Sequence, residues 1–167
     1  MRSPGFFAVL LVPVLVACDP ASPSACDAAA EIDATISIGV GEQSFAPVSD
    51  GEDVGLVRGS QGGLMVLGAL EVTGIVQGIA LFGDEDNPLV DFQLRAEDDT
   101  VIGGYAGLSR HFVRDADDVF TLVGETVVLD AWGLEELASP EVTLSARIAD
   151  ACGRELAATR AVTLVDG

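Results

Sequence analysis

Three acidic stretches hold the densest reactive chemistry in this chain: Asp84-Glu85-Asp86-Asn87, Glu97-Asp98-Asp99 and Asp115-Ala116-Asp117-Asp118. Calcium takes six to eight oxygens, often from carboxylates on neighbouring loops. Asp84, Asp86, Asp115 and Asp117 are therefore the residues that could ligate it, with calcium the one cofactor this composition suggests. None of the stretches follows the Asp-x-Asp-x-Asp-Gly spacing of a calcium loop, and solvated surface turns are the default account of them. A glycosidase would also need two carboxylates facing across a cleft. With 27 Asp and Glu, pairs of carboxylates are too common for the sequence to single one out.

Other catalytic chemistries are thinned by what is missing. The chain has no lysine, so it offers no phosphate-loop lysine, Schiff base or Ser-x-x-Lys nucleophile. His111 is the sole histidine, too few for a His-Glu-x-x-His zinc site, and no Gly-x-Ser-x-Gly elbow accompanies it. The segment Gly39-Val40-Gly41-Glu42-Gln43-Ser44 is followed by Phe45-Ala46-Pro47 and not by a helix, so it reads as a turn and not a dinucleotide site. The formal charge of −19 repels nucleic acid and sets that partner aside. Nearly half the residues (49%) are apolar, so the charge decorates a packed core and not a disordered chain.

The clearest spacing lies at the thiols. Leu15-Val16-Ala17-Cys18 closes an apolar run that begins at Phe6 and follows the basic Arg2. That run is too short to span a bilayer, which takes about 20 helical residues. It has the length of a secretory signal's apolar region. Its ending resembles the lipobox of bacterial lipoprotein signals, in which a small residue precedes an obligatory cysteine. The resemblance implies a signal peptide over residues 1–17 and diacylglyceryl modification of Cys18, followed by further acylation such as palmitate. Two or three chains together give the stable membrane attachment that one cannot. Asp19-Pro20-Ala21-Ser22-Pro23-Ser24 then reads as a polar tether, placed here over residues 18–30. Cys26 and Cys152 remain, and an even pair outside the cytoplasm is most simply a disulfide.

The elements that must carry these residues follow a period of two. Ile32, Ala34, Ile36 and Ile38 alternate with polar residues, as do Val90, Phe92, Leu94 and Ala96, and Val142, Leu144, Ala146 and Ile148. Leu64, Val66, Leu70 and Val72 share one parity. Weaker strand candidates cover 54–58, 75–82, 108–114, 119–123, 126–129 and 156–165. Turn chemistry at Ser49-Asp50-Gly51, Asp98-Asp99-Thr100 and Ala151-Cys152-Gly153-Arg154 separates them. The pattern predicts an all-β domain over residues 31–167: an Ig-like antiparallel β-sandwich of about 7–9 strands. The one helical hint is 133–139, stopped by Pro140, with Trp132 expected in a satellite core beneath it.

Gly59-Ser60-Gln61-Gly62-Gly63 enters the most apolar strand. A tight inter-strand turn explains the glycines, and a backbone loop that receives a ligand or partner segment explains them too. Ser60, Gln61, Gly62 and Gly63 are the residues such a loop would present. This segment, the strand after it and the closing Asp150-Ala151-Cys152-Gly153-Arg154 resemble a group of uncharacterised Ig-like bacterial lipoproteins. That group combines a lipobox, a Gln-Gly-Gly stretch and an Asp-x-Cys-Gly hairpin. Its members often carry a His where this chain has Leu64-Met65. The resemblance accordingly implies fold and location, and no shared metal or catalytic site.

The expectation is a lipid-anchored lipoprotein of the cell envelope, facing the periplasm or the cell surface. It would be a non-enzymatic binding or structural module whose partners are the membrane, through its lipid, and a protein or other envelope component. A calcium-dependent adhesion module and a carboxylate-based hydrolase are the alternatives.

Overall fold

The computed structural model describes residues 23–79, 81 and 84–167. Residues 1–17, expected to be a signal peptide, Cys18 and the first part of the expected tether lie outside the described residues. The strands are β1 (Thr35–Val40), β2 (Ala46–Pro47), β3 (Glu52–Arg58), β4 (Leu64–Thr73), β5 (Leu89–Arg95), β6 (Val101–Ser109), β7 (Val113–Arg114), β8 (Val119–Val128), β9 (Glu141–Ala149) and β10 (Glu155–Asp166). A short helix, α1 (Pro23–Ala30), precedes them, and a single 3-10 turn (Leu134–Glu136) follows β8.

The strands form the expected all-β sandwich. In one sheet β4 is central, paired with β1 on one side and β8 on the other, with β2 and β7 at the edges. The other sheet runs β3-β10-β9-β5-β6. Strand β3 belongs to both. Its residues 52–56 run parallel to β10, and Val57 and Arg58 turn to pair antiparallel with Met65 and Leu64 of β4. The one departure from an antiparallel sandwich is therefore the strand that crosses between its layers. On the opposite side, a bridge between Gly103 and Leu129 brings β6 against the end of β8.

Period-two alternation builds the core. In β9, Val142, Leu144, Ala146 and Ile148 point inward while their neighbours are partly or fully exposed. Val90, Phe92 and Leu94 of β5 and Val66, Leu70 and Val72 of β4 meet them between the layers, all without solvent exposure. Each such side chain contributes about 1.5–3 kcal/mol of hydrophobic free energy on burial.

Three local features differ from the sequence expectation. Residues 23–30, assigned to the tether, are helical. Pro23 fits the first turn of a helix, where its missing N–H costs nothing, and Ala25, Ala28, Ala29 and Ala30 favour the helix after it. No strand forms at 75–78, because other partners take up its backbone groups and its flanks. The Val76 N–H donates to Asp150 Oδ2 at 3.1 Å, and the Gln77 amide exchanges two hydrogen bonds with the Phe112 backbone at 2.8 and 2.9 Å. Trp132 is not a core residue: it is 66% exposed.

The two ends of β4 divide the molecule's features. Ten residues of strand span ~33 Å. At the Thr73 end lie the loop after β4, α1 and the β9–β10 turn. At the Leu64 end lie the 59–63 loop, Trp132 and the 3-10 turn.

Candidate functional site

The Leu64 end carries the best-defined surface site. Hydrogen bonds from Gly59 N–H to the Gly63 carbonyl and from Gly62 N–H to the Gly59 carbonyl, both 2.9 Å, close the 59–63 loop on itself. Gly62 adopts φ +88, a conformation that side-chain-bearing residues rarely take. Its Cα lies against the Trp132 indole, where an added Cβ would sit 3.6 Å from the ring. Arg58, at the end of β3, binds both elements at once. Its Nη1 donates to the Gly62 carbonyl at 2.8 Å and to the Trp132 carbonyl at 3.3 Å. The Trp132 N–H is capped in turn by Glu136 Oε2 at 3.1 Å. These bonds fix the Trp132 backbone, and its indole lies against Gly62 beside an exposed Ser60 and Gln61.

Such a corner suits binding. An indole held in water offers a large rigid face for stacking or apolar contact, and its two side-chain torsions cost little entropy to order. The sequence identified Ser60, Gln61, Gly62 and Gly63 as a loop that could receive a partner. The structure adds Trp132 and Arg58 to them, residues separated from each other by 74 positions. Nothing local in the sequence marks Trp132 as an outward-facing residue.

Beside this corner a groove of about 470 Å³ opens between the 96–102 turn and the 3-10 turn. Ala96, Ile102 and Leu137 give it an apolar floor, and Glu97, Asp98, Asp130 and Glu136 surround it with carboxylates. The Thr100 side chain and backbone N–H hold Asp98 below the usual carboxylate range. The end of the sandwich that bears Trp132 is thus acidic as well as aromatic.

The remaining candidates serve the fold. Asp115 Oδ1 accepts the N–H groups of Asp117 and Val119, both at 2.9 Å, and so shapes its own turn. Asp84 Oδ1 does the same for the Asp86 N–H at 3.0 Å. Among the described residues, no three His, Cys, Asp or Glu side chains converge as a metal site requires, and Asp84, Asp86, Asp115 and Asp117 are not brought into one. His111 shares a hydrogen bond of 3.2 Å between its Nδ1 and Asn87 Oδ1.

Cys26 and Cys152 form the expected disulfide, across a separation of 126 residues. Asp150, two residues before Cys152, is buried and organises the turn around it. Its Oδ1 accepts the N–H groups of Cys152 and Arg154, each at 2.9 Å. Its Oδ2 accepts from Val76 and from Arg154 Nε at 3.2 Å. Arg154 then reaches α1, donating from Nη1 to the Ala29 carbonyl at 2.6 Å. The Asp-x-Cys-Gly-Arg hairpin is thereby a structural clasp.

A further cluster links the two sheets along the β6–β8 side. The Tyr105 hydroxyl and Arg110 Nε both donate to Glu125 Oε2, the latter at 2.8 Å, and the guanidinium lies 4.9 Å over the Tyr105 ring. Burial, reinforced by the neighbouring Glu125 carboxylate, pushes the phenol far above its ordinary value. Tyr105 therefore stays neutral and acts as a hydrogen-bond donor, a lock between layers.

No family model, no curated protein and no solved structure matches this chain.

Proposed function

We propose that this chain is a membrane-anchored lipoprotein of the cell envelope, of the Ig-like kind its motifs resemble, and that it works as a non-enzymatic binding module. Lipid on Cys18 would supply location at the periplasmic or cell surface, and the corner built from Trp132 and the 59–63 loop would supply contact. The observation that carries the binding reading is the exposed indole of Trp132, lying against Gly62 where Arg58 joins the two backbones. An aromatic side chain fixed in water contributes nothing to a core, whereas at interfaces such residues dominate affinity. The acidic groove beside it favours a partner bearing positive charge. Neither the calcium-dependent module nor the carboxylate hydrolase has a specific observation behind it among the described residues.

Two measurements test the reading. Intact mass of the membrane-extracted protein should match residues 18–167 plus acyl chains, and an unmodified Cys18 would remove the anchor. A photo-crosslinking residue at position 61 should then capture one discrete partner in intact cells. Trp132→Ala should abolish that product. A crosslinking pattern indifferent to Trp132 would remove the binding corner.

A further inference from the structure

At the Thr73 end of the sandwich, apolar side chains face solvent. Ile79 is 98% exposed, Leu81 58% and Ile32 53%. Ile79 and Ile32 belong to the walls of one groove of about 590 Å³, formed by α1, the segment after β4 and the β7–β8 region, which adds Arg114, Asp117 and Asp118. Exposed apolar clusters of this sort mark contacts with proteins or membranes.

The course of the chain chooses between these. Helix α1 is fastened to this end twice, by the Cys26–Cys152 disulfide and by the Arg154 bond to Ala29. It begins at Pro23, five residues after Cys18, so a fully extended connection spans at most ~17 Å. Ala25 and Ala28 of α1 line the same groove as Ile79. A lipid on Cys18 therefore holds this end of the molecule, and no other, against the bilayer surface.

We infer that Ile79 and Leu81 enter the lipid interface beside the acylated Cys18 and form a second membrane contact. This rests on the anchor proposed above. Lipid provides residence, and the two side chains fix the tilt, so that β4 stands away from the membrane and Trp132 faces outward. The contact is apolar in kind, because the chain's net negative charge disfavours attraction to anionic headgroups.

The test uses the full chain, processed and acylated in a bacterial host, reconstituted into phosphatidylcholine vesicles and checked by intact mass. Trp132 is the only tryptophan, so Ile79→Trp combined with Trp132→Phe gives a single reporter at the loop. Its emission should shift to the blue, and brominated phosphatidylcholine should quench it at least about twofold, as for a side chain at the headgroup–acyl boundary. Leu81→Trp in the same background should behave alike. Trp132 in the unsubstituted protein should ignore the brominated lipid. If the protein is acylated but the reporter at position 79 stays open to aqueous iodide and indifferent to bromine, the inference is overturned and the anchor stands. A blue shift without bromine quenching means that protein covers the loop, and overturns it also. A mass without acyl chains removes the anchor, and this inference with it.

Discussion

Cys26 and Cys152 are bonded across 126 residues, joining a helix at the start of the domain to its last hairpin. The bridge makes α1 part of the sandwich, where the sequence alone suggested a tether. In the chain-entropy account, a loop of this length confers about 4–5 kcal/mol by restricting the unfolded state. Reduction, or Cys152→Ser, should therefore lower the thermal midpoint by many degrees. Amide exchange over residues 25–32 should rise first, because α1 loses its covalent hold. An unchanged midpoint with α1 still protected would show that the bridge is dispensable.

The Asp150–Arg154 pair should be as consequential. Asp150 offers its two oxygens to three backbone N–H groups and the guanidinium, and its side chain has no solvent exposure. Asp150→Ala strands those donors and leaves a partly buried cation, a loss of about 3–5 kcal/mol. Asp150→Asn keeps an acceptor and the shape, and should lose less. Urea unfolding of the two variants checks the order, and equal losses would mean that the charge, not the acceptor geometry, carries the clasp.

Tyr105 gives a pH prediction with a definite sign. It is the only tyrosine, so ultraviolet titration of phenolate reports on it alone. Its folded-state pKa lies well above the ordinary value of 10.0, chiefly through burial and then through Glu125. A group raised in the folded state stabilises below its unfolded value and loses that contribution as the pH climbs past it. Stability should thus hold up to about pH 10 and decline above it, and phenolate should appear only as the fold opens. Tyr105→Phe should flatten that alkaline decline. Phenolate forming near pH 10 with the fold intact would contradict the buried hydrogen bond.

How much of this was legible in the sequence depends on where each backbone group finds its partner. β1, β4, β5 and β9 announce themselves because their inward residues alternate and pair with neighbouring strands. β6 does not, since Gly103, Gly104 and Gly107 interrupt its pattern. Gly103 is needed there: a Cβ would lie 2.4 Å from the Val128 carbonyl oxygen, blocking the close approach of β6 to β8. The apolar run after β4 reads as a strand, yet Asp150 and Phe112, 74 and 35 residues away, satisfy its polar groups. The Gly-rich loop was visible as a candidate site. Its partners Arg58 and Trp132 were not, because the contact depends on the crossing of β3 between sheets.

Trp132 supplies the sharpest separation of binding from stability. With two-thirds of its surface in water, the side chain contributes little to the fold, and Trp132→Ala should change stability by no more than about 0.5 kcal/mol. Its fluorescence should be that of a hydrated indole, open to aqueous quenchers. Arg58→Ala should leave that emission red but make it less anisotropic, because the guanidinium that joins the Gly62 and Trp132 carbonyls is gone. Both variants should lose the partner crosslinked at position 61 while melting close to the parent. If Trp132→Ala instead unfolds the domain at much lower denaturant, the indole is a structural residue and the binding corner must be sought elsewhere.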